Sequence, residues 1–502
     1  MQRDSSTESI WQPLAAPQLP DSNLEKDEHF DVAIVGGGIT GLTTAVLLQR
    51  AGKKCMVLEA RTLGFGTTSG TTAHLNTLID TPYHQLEKDF GEEGARLTAT
   101  ATGEAISLVQ GLVESCRIDC DFEYAGGYVF SEDPEESSEL EKMSGAAQRA
   151  GIATSFVPGN QLPIPFHTCL EFPGQARFHP MKYLYSLADE FISQGGRISQ
   201  NNQVAQVEER DGHCFLQTQK GAVRSHEVVY ATHIPPGINL LHFYCAPYRS
   251  YALGLEVSGE QCPAGLVYDM KEPYHYFRTH KVNGKNYLIV GGEDHKTGEA
   301  GTDAFSRLEA YVKTRFNVRS IDFKWSSQYY EPADGLPYIG RLPGSSEALY
   351  VATGFSGNGM TFGSLAGRIL ADMIVKGNSP YQELFNPSRI KPVAGFKNFI
   401  KENTNVIKHF IADRIAPVEL ENLAELNPGE AMIINYKSRK LAVYKNPQGE
   451  VFALDPVCPH AKCFVQWNSA EASWDCPCHG SRFSPEGEVL TGPAHSGLDR
   501  LV

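Results

Sequence analysis

The chain has no apolar run of about 18 residues, the length a membrane-crossing helix needs, so nothing in its 502 residues is expected to span a bilayer. It also lacks any cluster of lysine and arginine. With 44 basic against 59 acidic residues and a formal net charge of −15, it does not carry the electrostatic footprint of a nucleic-acid binder. Residues 1–29 are polar and proline-dotted, without the apolar core of a secretory signal. They read as an N-terminal tail docked through Trp11, and the protein is expected to be cytoplasmic. Internal repeats and low-complexity tracts are missing as well.

Cysteine is present but unevenly spread. Cys55, Cys116, Cys120, Cys169, Cys214, Cys245 and Cys262 are scattered and, in a cytosolic chain, expected to be reduced and structural. Cys458, Cys463, Cys476 and Cys478 crowd together beside histidines, which points to a metal site.

The first long unit, residues 30–392, opens as a βαβ element: the strand DVAIV, a glycine turn, the helix TGLTTAVLLQRAG and the strand KKCMVLEA. Gly36, Gly38 and Gly41 form G-x-G-x-x-G between strand and helix. The first glycine permits the tight turn, the second lets backbone N–H groups approach a pyrophosphate, and the third lets the helix pack on the strand. Glu59 ends the second strand, where a carboxylate accepts ribose hydroxyls and disfavours a 2′-phosphate. A glycine turn without a ligand is the bland alternative. Strand, helix and acid together argue against it.

Three further segments decide between dinucleotides. HEVVYATH (226–233) looks like the strand that closes over the dinucleotide in flavoproteins. Val204 stands where such proteins bind adenine through the backbone. Gly354, Gly357 and Gly359, followed by Met360 and Thr361, precede another helix whose N-terminus would face the pyrimidine end of a flavin and stabilise charge on the reduced ring. On VGGGITGLTTA and ATGFSGNGMTFG above all, residues 30–376 resemble the D-amino-acid oxidase/glycine oxidase superfamily of FAD-dependent amine oxidoreductases. That resemblance implies a Rossmann-like FAD domain interleaved with a mixed-sheet substrate domain, at about 85–160 and 236–330, and hydride transfer from a carbon next to nitrogen. No second G-x-G-x-x-G suggests a nicotinamide site. No cysteine or histidine stands in the closing turn, so the FAD is expected to be noncovalent.

Residues 393–417 form a linker. Within it Phe396, Phe399, Ile400, Ile407, Phe410 and Ile411 recur at helical spacing. A connecting helix between domains is the favoured reading, and a peripheral membrane contact through 396–415 is the alternative. From 418 to 502 short alternating strands and the turn NPQGE indicate a small all-β unit.

This unit carries Cys458-Pro-His460 and Cys476-Pro-Cys478-His479, the pattern C-x-H … C-x-x-H. Two thiolates on one iron and two imidazoles on the other make a Rieske 2Fe–2S centre. A Cys₂His₂ zinc site uses the same ligand types. The surroundings, WDCPCHGSRF and a later GPA, resemble the Rieske domain of respiratory iron–sulfur proteins. The resemblance assigns Cys458, His460, Cys476 and His479 as ligands and places Cys463 and Cys478 where that subfamily has a disulfide. It also places the Ser481 hydroxyl on a bridging sulfide. Lys462 stands where glycine is usual, so the loop is bent differently or the lysine sits over the cluster. Phe483 replaces a tyrosine hydroxyl, which should lower the potential.

On the substrate side, YHYFRTHKVNGKNYLIVGGEDHKTG resembles the hairpin that lies over the flavin. Arg278 could hold a substrate carboxylate in a bidentate fork, with a surface salt bridge as the alternative. His295 and Gln328 are further candidates, and His74 falls near the flavin edge. The combined reading is a dehydrogenase of a small amine or amino acid that passes electrons from FAD through the cluster to an external one-electron acceptor. Two alternatives are a peroxide-producing oxidase with a structural cluster and a redox sensor with a vestigial pocket.

Overall fold

The computed structural model describes residues 5–14, 17, 28–159, 162–258, 261–299, 303–389, 426–436 and 439–501. The linker at 393–417, with its apolar spacing, lies outside the described residues. No helix among them is long and apolar enough to cross a membrane.

The N-terminal unit is built on two sheets. In the first, His29–Val35 lies centrally and pairs in parallel with Cys55–Leu58 on one side and Gly221–Tyr230 on the other. Arg197–Ser199 and Leu349–Thr353 extend it in parallel, and Tyr338–Arg341 closes the far edge antiparallel. Strands of this kind are buried on both faces, which explains the nearly unbroken apolar run in HFDVAIV. Val32 and Ile34 meet the helices Ile39–Arg50, Pro180–Ser193 and Gly359–Lys376. Phe30, Ala33 and Val35 face the layer of Val204, Leu216 and Val223.

The second sheet is mixed. Its order is Val318–Pro332, Cys245–Val257, Lys285–Lys296, Tyr276–Val282, Leu266–Tyr268, Glu123–Ser131, Thr168–Arg177 and His74–Leu75. One parallel pairing, Leu266–Tyr268 with Glu123–Ser131, interrupts an otherwise antiparallel series. The sheet therefore takes in Thr168–Arg177, beyond the 85–160 stretch that sequence reading assigned to it. The helix Ala304–Arg315 packs Leu308 and Val312 on one face, against Leu253, Phe277 and Val290. The other face of the sheet, with Ala252, Tyr268 and Tyr276, lines the cavity shared with the nucleotide turn.

The C-terminal unit is all β. A three-stranded antiparallel sheet (Ala431–Tyr436, Arg439–Lys445, Val451–Leu454) sits beside a four-stranded one (Gln466–Asn468, Ser473–Asp475, Arg482–Phe483, Val489–Thr491). Trp474, Phe483, Val465 and Leu454 fill its small core.

Residues 5–14 tie these parts together. Trp11 is fully buried, and its indole N–H donates to Thr71 O at 2.6 Å. Ser6 N donates to Glu471 of the C-terminal unit at 2.9 Å.

Candidate active site and cluster site

A cavity of about 900 Å³ runs from the nucleotide turn to the mixed sheet. At its nucleotide end Gly36 adopts φ +114°, and a Cβ there would lie 2.4 Å from Ala231 O. A Cβ on Gly41 would lie 1.9 Å from Gly36 O, so helix and turn can meet only at glycine. Gly38 caps the helix Ile39–Arg50 and lines the cavity. Glu59 closes the turn: its Oε2 accepts from Gly37 N at 2.7 Å and its Oε1 from Arg61 N at 2.8 Å. Each oxygen keeps a further lone pair for a ribose hydroxyl. Val204 lines the same end. These residues suit a dinucleotide: backbone N–H groups at a helix N-terminus, glycine where a pyrophosphate approaches, and an acid for the ribose.

The closing turn divides. Gly357, Gly359 and Met360 line the cavity at the N-terminus of Gly359–Lys376. Gly354 sits behind them against Pro332 and Cys245, and the Thr361 hydroxyl takes the N–H of Asn76 at 3.0 Å. These two support the turn from outside the cavity.

The substrate-side expectations need correction. Arg278 is fully buried and absent from the cavity wall among the described residues. It donates to Ala73 O at 2.7 Å, Thr72 O and Phe178 O at 3.3 Å and His280 Nδ1 at 2.8 Å, and its plane lies over Trp11. Strand alternation puts Arg278 on the same face as Tyr276. Residues 72–73, Phe178 and Trp11 roof that face one step further along, so no substrate carboxylate reaches the guanidinium. His295 also lies off the wall, stacked on Tyr251 with ring centroids 5.4 Å apart. Gln328 does line the cavity, but its amide N–H donates to Gly480 O of the C-terminal unit at 3.0 Å. His74 lines the wall too, with Nδ1 2.8 Å from Tyr268 Oη, and burial holds its imidazole well below the ordinary value.

What sequence reading missed is the wall itself: Asp80 and Asp294 with Tyr268, Tyr274, Tyr276 and Tyr329. The only available signal was Y-x-Y in YHYFRT, which puts two tyrosines on one side of a strand and says nothing of the aspartates.

In the C-terminal unit, the loops 457–464 and 476–481 bring the four Cys and His candidates together. The rings of His460 and His479 are perpendicular with centroids 5.1 Å apart. The thiols of Cys458 and Cys476 lie against one another, so the first proton is lost more readily, from Cys458, and the second is held on Cys476. His460 Nε2 faces Gly237 O at 2.8 Å. A carbonyl only accepts, so the proton is on Nε2 and the buried, unpartnered Nδ1 is free to bind metal. Both ring nitrogens of His479 are buried without a partner. Two adjacent thiols and two unsatisfied imidazoles are the donor set that a Rieske cluster requires.

Cys463 and Cys478 are joined by a disulfide across the two loops, Cα–Cα 6.5 Å. Ser481 Oγ accepts from Ala494 N at 3.0 Å, so its own proton is free to turn towards the Cys458 side. Lys462 is exposed and adopts φ +62°, the left-handed conformation that glycine takes without cost. The loop thus keeps the glycine-like bend, with the lysine exposed.

The two units meet around these loops. Tyr330 Oη donates to His479 O at 3.0 Å. The ring of His242 lies 4.9 Å from His460 and 5.1 Å from His479. Residues 486–498 complete the nucleotide end of the cavity.

Fold and donor sets together define a flavoprotein oxidoreductase with an appended iron–sulfur domain, and comparison with known proteins agrees. The chain belongs to the FAD dependent oxidoreductase family, whose model matches residues 31–373, and a Rieske [2Fe-2S] domain model matches residues 416–501. It binds FAD in the first unit and a 2Fe–2S cluster in the second. It is 30% identical over 501 residues to the putative Rieske 2Fe-2S iron-sulfur protein YhfW of Bacillus subtilis (strain 168), covering 98% of this chain and 97% of that one. It is 26% identical over 392 residues to gamma-glutamylputrescine oxidoreductase of Escherichia coli (strain K12), covering 73% and 89%. Glycine oxidase from Geobacillus kaustophilus superposes with a TM-score of 0.60 at 17% identity, over 72% of this chain and 99% of that one, which shows a shared fold.

Proposed function

We propose that the protein is a dehydrogenase that oxidises a C–N bond of a small amine or amino acid and delivers the electrons, through its own Rieske domain, to an external one-electron acceptor. One observation carries this reading: Gln328 and Tyr330 line the flavin cavity and also hydrogen-bond the backbone oxygens of Gly480 and His479. When bound, FAD would supply a two-electron acceptor for a hydride from the carbon beside nitrogen, and the cluster a one-electron outlet. The chain's own contribution is to hold the two sites on one rigid strand end. Thr67 of the nucleotide loop donates to Gln328 O at 3.0 Å, which ties that loop to the same strand. Cys458, His460, Cys476 and His479 are the proposed cluster ligands, and Glu59 and Val204 the proposed ribose and adenine contacts.

The test is His460→Ala in the full chain. It should abolish the Rieske spectrum and slow turnover with one-electron acceptors, while anaerobic bleaching of the flavin by substrate continues. Wild-type turnover with every acceptor, or stoichiometric peroxide in air, would move the oxidase reading ahead.

A further inference from the structure

The tyrosine-walled end of the cavity holds two carboxyl groups and, among the described residues, no lysine or arginine. The one such cation on the whole wall, Arg61, lies at the nucleotide end beside Glu59. Asp294 Oδ2 accepts from Tyr329 Oη at 2.9 Å, whereas its Oδ1 is buried and has no hydrogen-bond partner. Asp80 Oδ2 accepts from Gly357 N at 2.6 Å, and its Oδ1 is 3.5 Å from Tyr274 Oη. The rings of Tyr274 and Tyr276 stand 5.5 Å apart on the same wall.

Two carboxyl groups enclosed without a lysine or arginine destabilise one another, and His275, itself shared between Asp269 and Glu293, offsets this only in part at Asp294. Burial pushes Asp294 up to about 7, with the Asp80 charge adding to it, and pushes Asp80 up to about 6. The group that such a wall lacks is a cation. Tyrosine faces are suited to surround one, since their quadrupoles present negative charge. A carboxylate in the same place would meet two acids, and the nearby guanidinium, Arg278, has its N–H groups turned to backbone carbonyls behind the wall.

We propose that this end of the cavity selects an amine that arrives as a cation, with no carboxylate on the carbon being oxidised, its positive charge held by Asp80 and Asp294 until one of these carboxylates takes the N–H proton and frees the nitrogen lone pair for hydride loss, and its N-alkyl groups packed among the tyrosine rings. The inference rests on the amine-oxidation reading above and narrows its substrate class away from α-amino acids.

Binding and bleaching separate the two claims. The FAD- and cluster-loaded protein is titrated by calorimetry with tetramethylammonium, with its neutral counterpart tert-butanol, and with acetate. Tetramethylammonium should bind at least about tenfold tighter than either, and Asp294→Asn should weaken it roughly thirtyfold, as expected for loss of a desolvated ionic partner. The wild-type comparison decides the matter even if the variant fails to fold. Acetate binding more tightly than tetramethylammonium, or an unchanged affinity in a folded Asp294→Asn protein, overturns the inference. In parallel, N-methylbutylamine should bleach the flavin anaerobically and N-methylalanine should not. Bleaching by N-methylalanine alone would overturn the cation site and leave amine oxidation intact. Cation binding without bleaching by any amine would refute the oxidation reading and leave the site standing.

Discussion

The Rieske domain meets the flavin domain along two seams of opposite chemistry. One is ionic and dry: Arg249 and Glu471, each with a fully buried side chain, approach to 3.4 Å across the boundary. Arg482 reaches Asp475 at 3.0 Å and Glu471 at 3.6 Å from the Rieske side. Ser326 and the N-terminal Ser5 and Ser6 supply further donors to Glu471. The other seam is made by neutral hydrogen bonds, with the buried Lys296 near enough to act on His479. There His460 Nε2, His479 O and Gly480 O meet Gly237 O, Tyr330 Oη and the Gln328 amide at 2.8–3.0 Å. The buried ion pairs are concentrated in the first seam, while at the second the ammonium of the buried Lys296 is the charge felt by His479. The ionic seam clamps and the histidine seam aligns.

Breaking the clamp should have the largest effect. Arg249→Met leaves Glu471 buried short of one counter-charge, and disrupted buried pairs of this kind cost about 3–5 kcal/mol. Calorimetric unfolding should show the loss, with the Rieske domain melting separately from the flavin domain. A single unshifted transition would mean that the clamp contributes nothing.

The aligning seam should be more easily disturbed than destabilised. Gly480 has φ +76°, and a Cβ there would come within 2.6 Å of the Gln328 amide and 2.8 Å of Pro247 Cβ. Gly480→Ala should therefore cost about 2 kcal/mol through backbone strain, with the contacts adding to it. More tellingly, stopped-flow traces should show cluster reduction slowed while flavin reduction by substrate is spared. Equal slowing of both would dissolve the distinction between the seams.

The smallest effect should come from the solvent side of the cluster loop. Lys462→Gly relieves a left-handed lysine and should raise stability by about 1 kcal/mol or less, read as a rise in melting temperature. The cluster spectrum should be unchanged, since the exposed lysine is not among the proposed ligands. A shifted spectrum would show that the loop's bend depends on the side chain.

How far the sequence could be read follows the same division between local and assembled features. The nucleotide turn and the cluster loops are each built within a few residues, so Gly36, Gly38 and Gly41, and Cys458, His460, Cys476 and His479, announce themselves by spacing. Asp80, Tyr268, Tyr274, Asp294 and Tyr329 are spread over some 250 positions and meet only because the mixed sheet sets the register Tyr276 against Gly291 and Tyr248 against Tyr329. No short window contains that information. Arg278 was misjudged for a related reason. Strand periodicity tells which face a side chain takes, but the roof over that face comes from residues 72–73, Phe178 and Trp11, far away in the chain. The Arg249–Glu471 clamp was invisible likewise, because each residue looks like an ordinary surface charge until its partner arrives.

The closure of the nucleotide end has a kinetic meaning. Residues 486–498 of the Rieske domain wall that end, and Arg61 donates to Val489 O at 2.8 Å across the gap. The door to the first cofactor's pocket is thus hung on the second cofactor's domain. Were flavin to exchange through that side, it should enter before the C-terminal domain docks and leave no faster than the domain swings away. Its dissociation rate then times the opening of the seams, and a cluster-deficient chain with a loosened C-terminal domain should shed flavin quickly although every nucleotide contact in its own domain is intact.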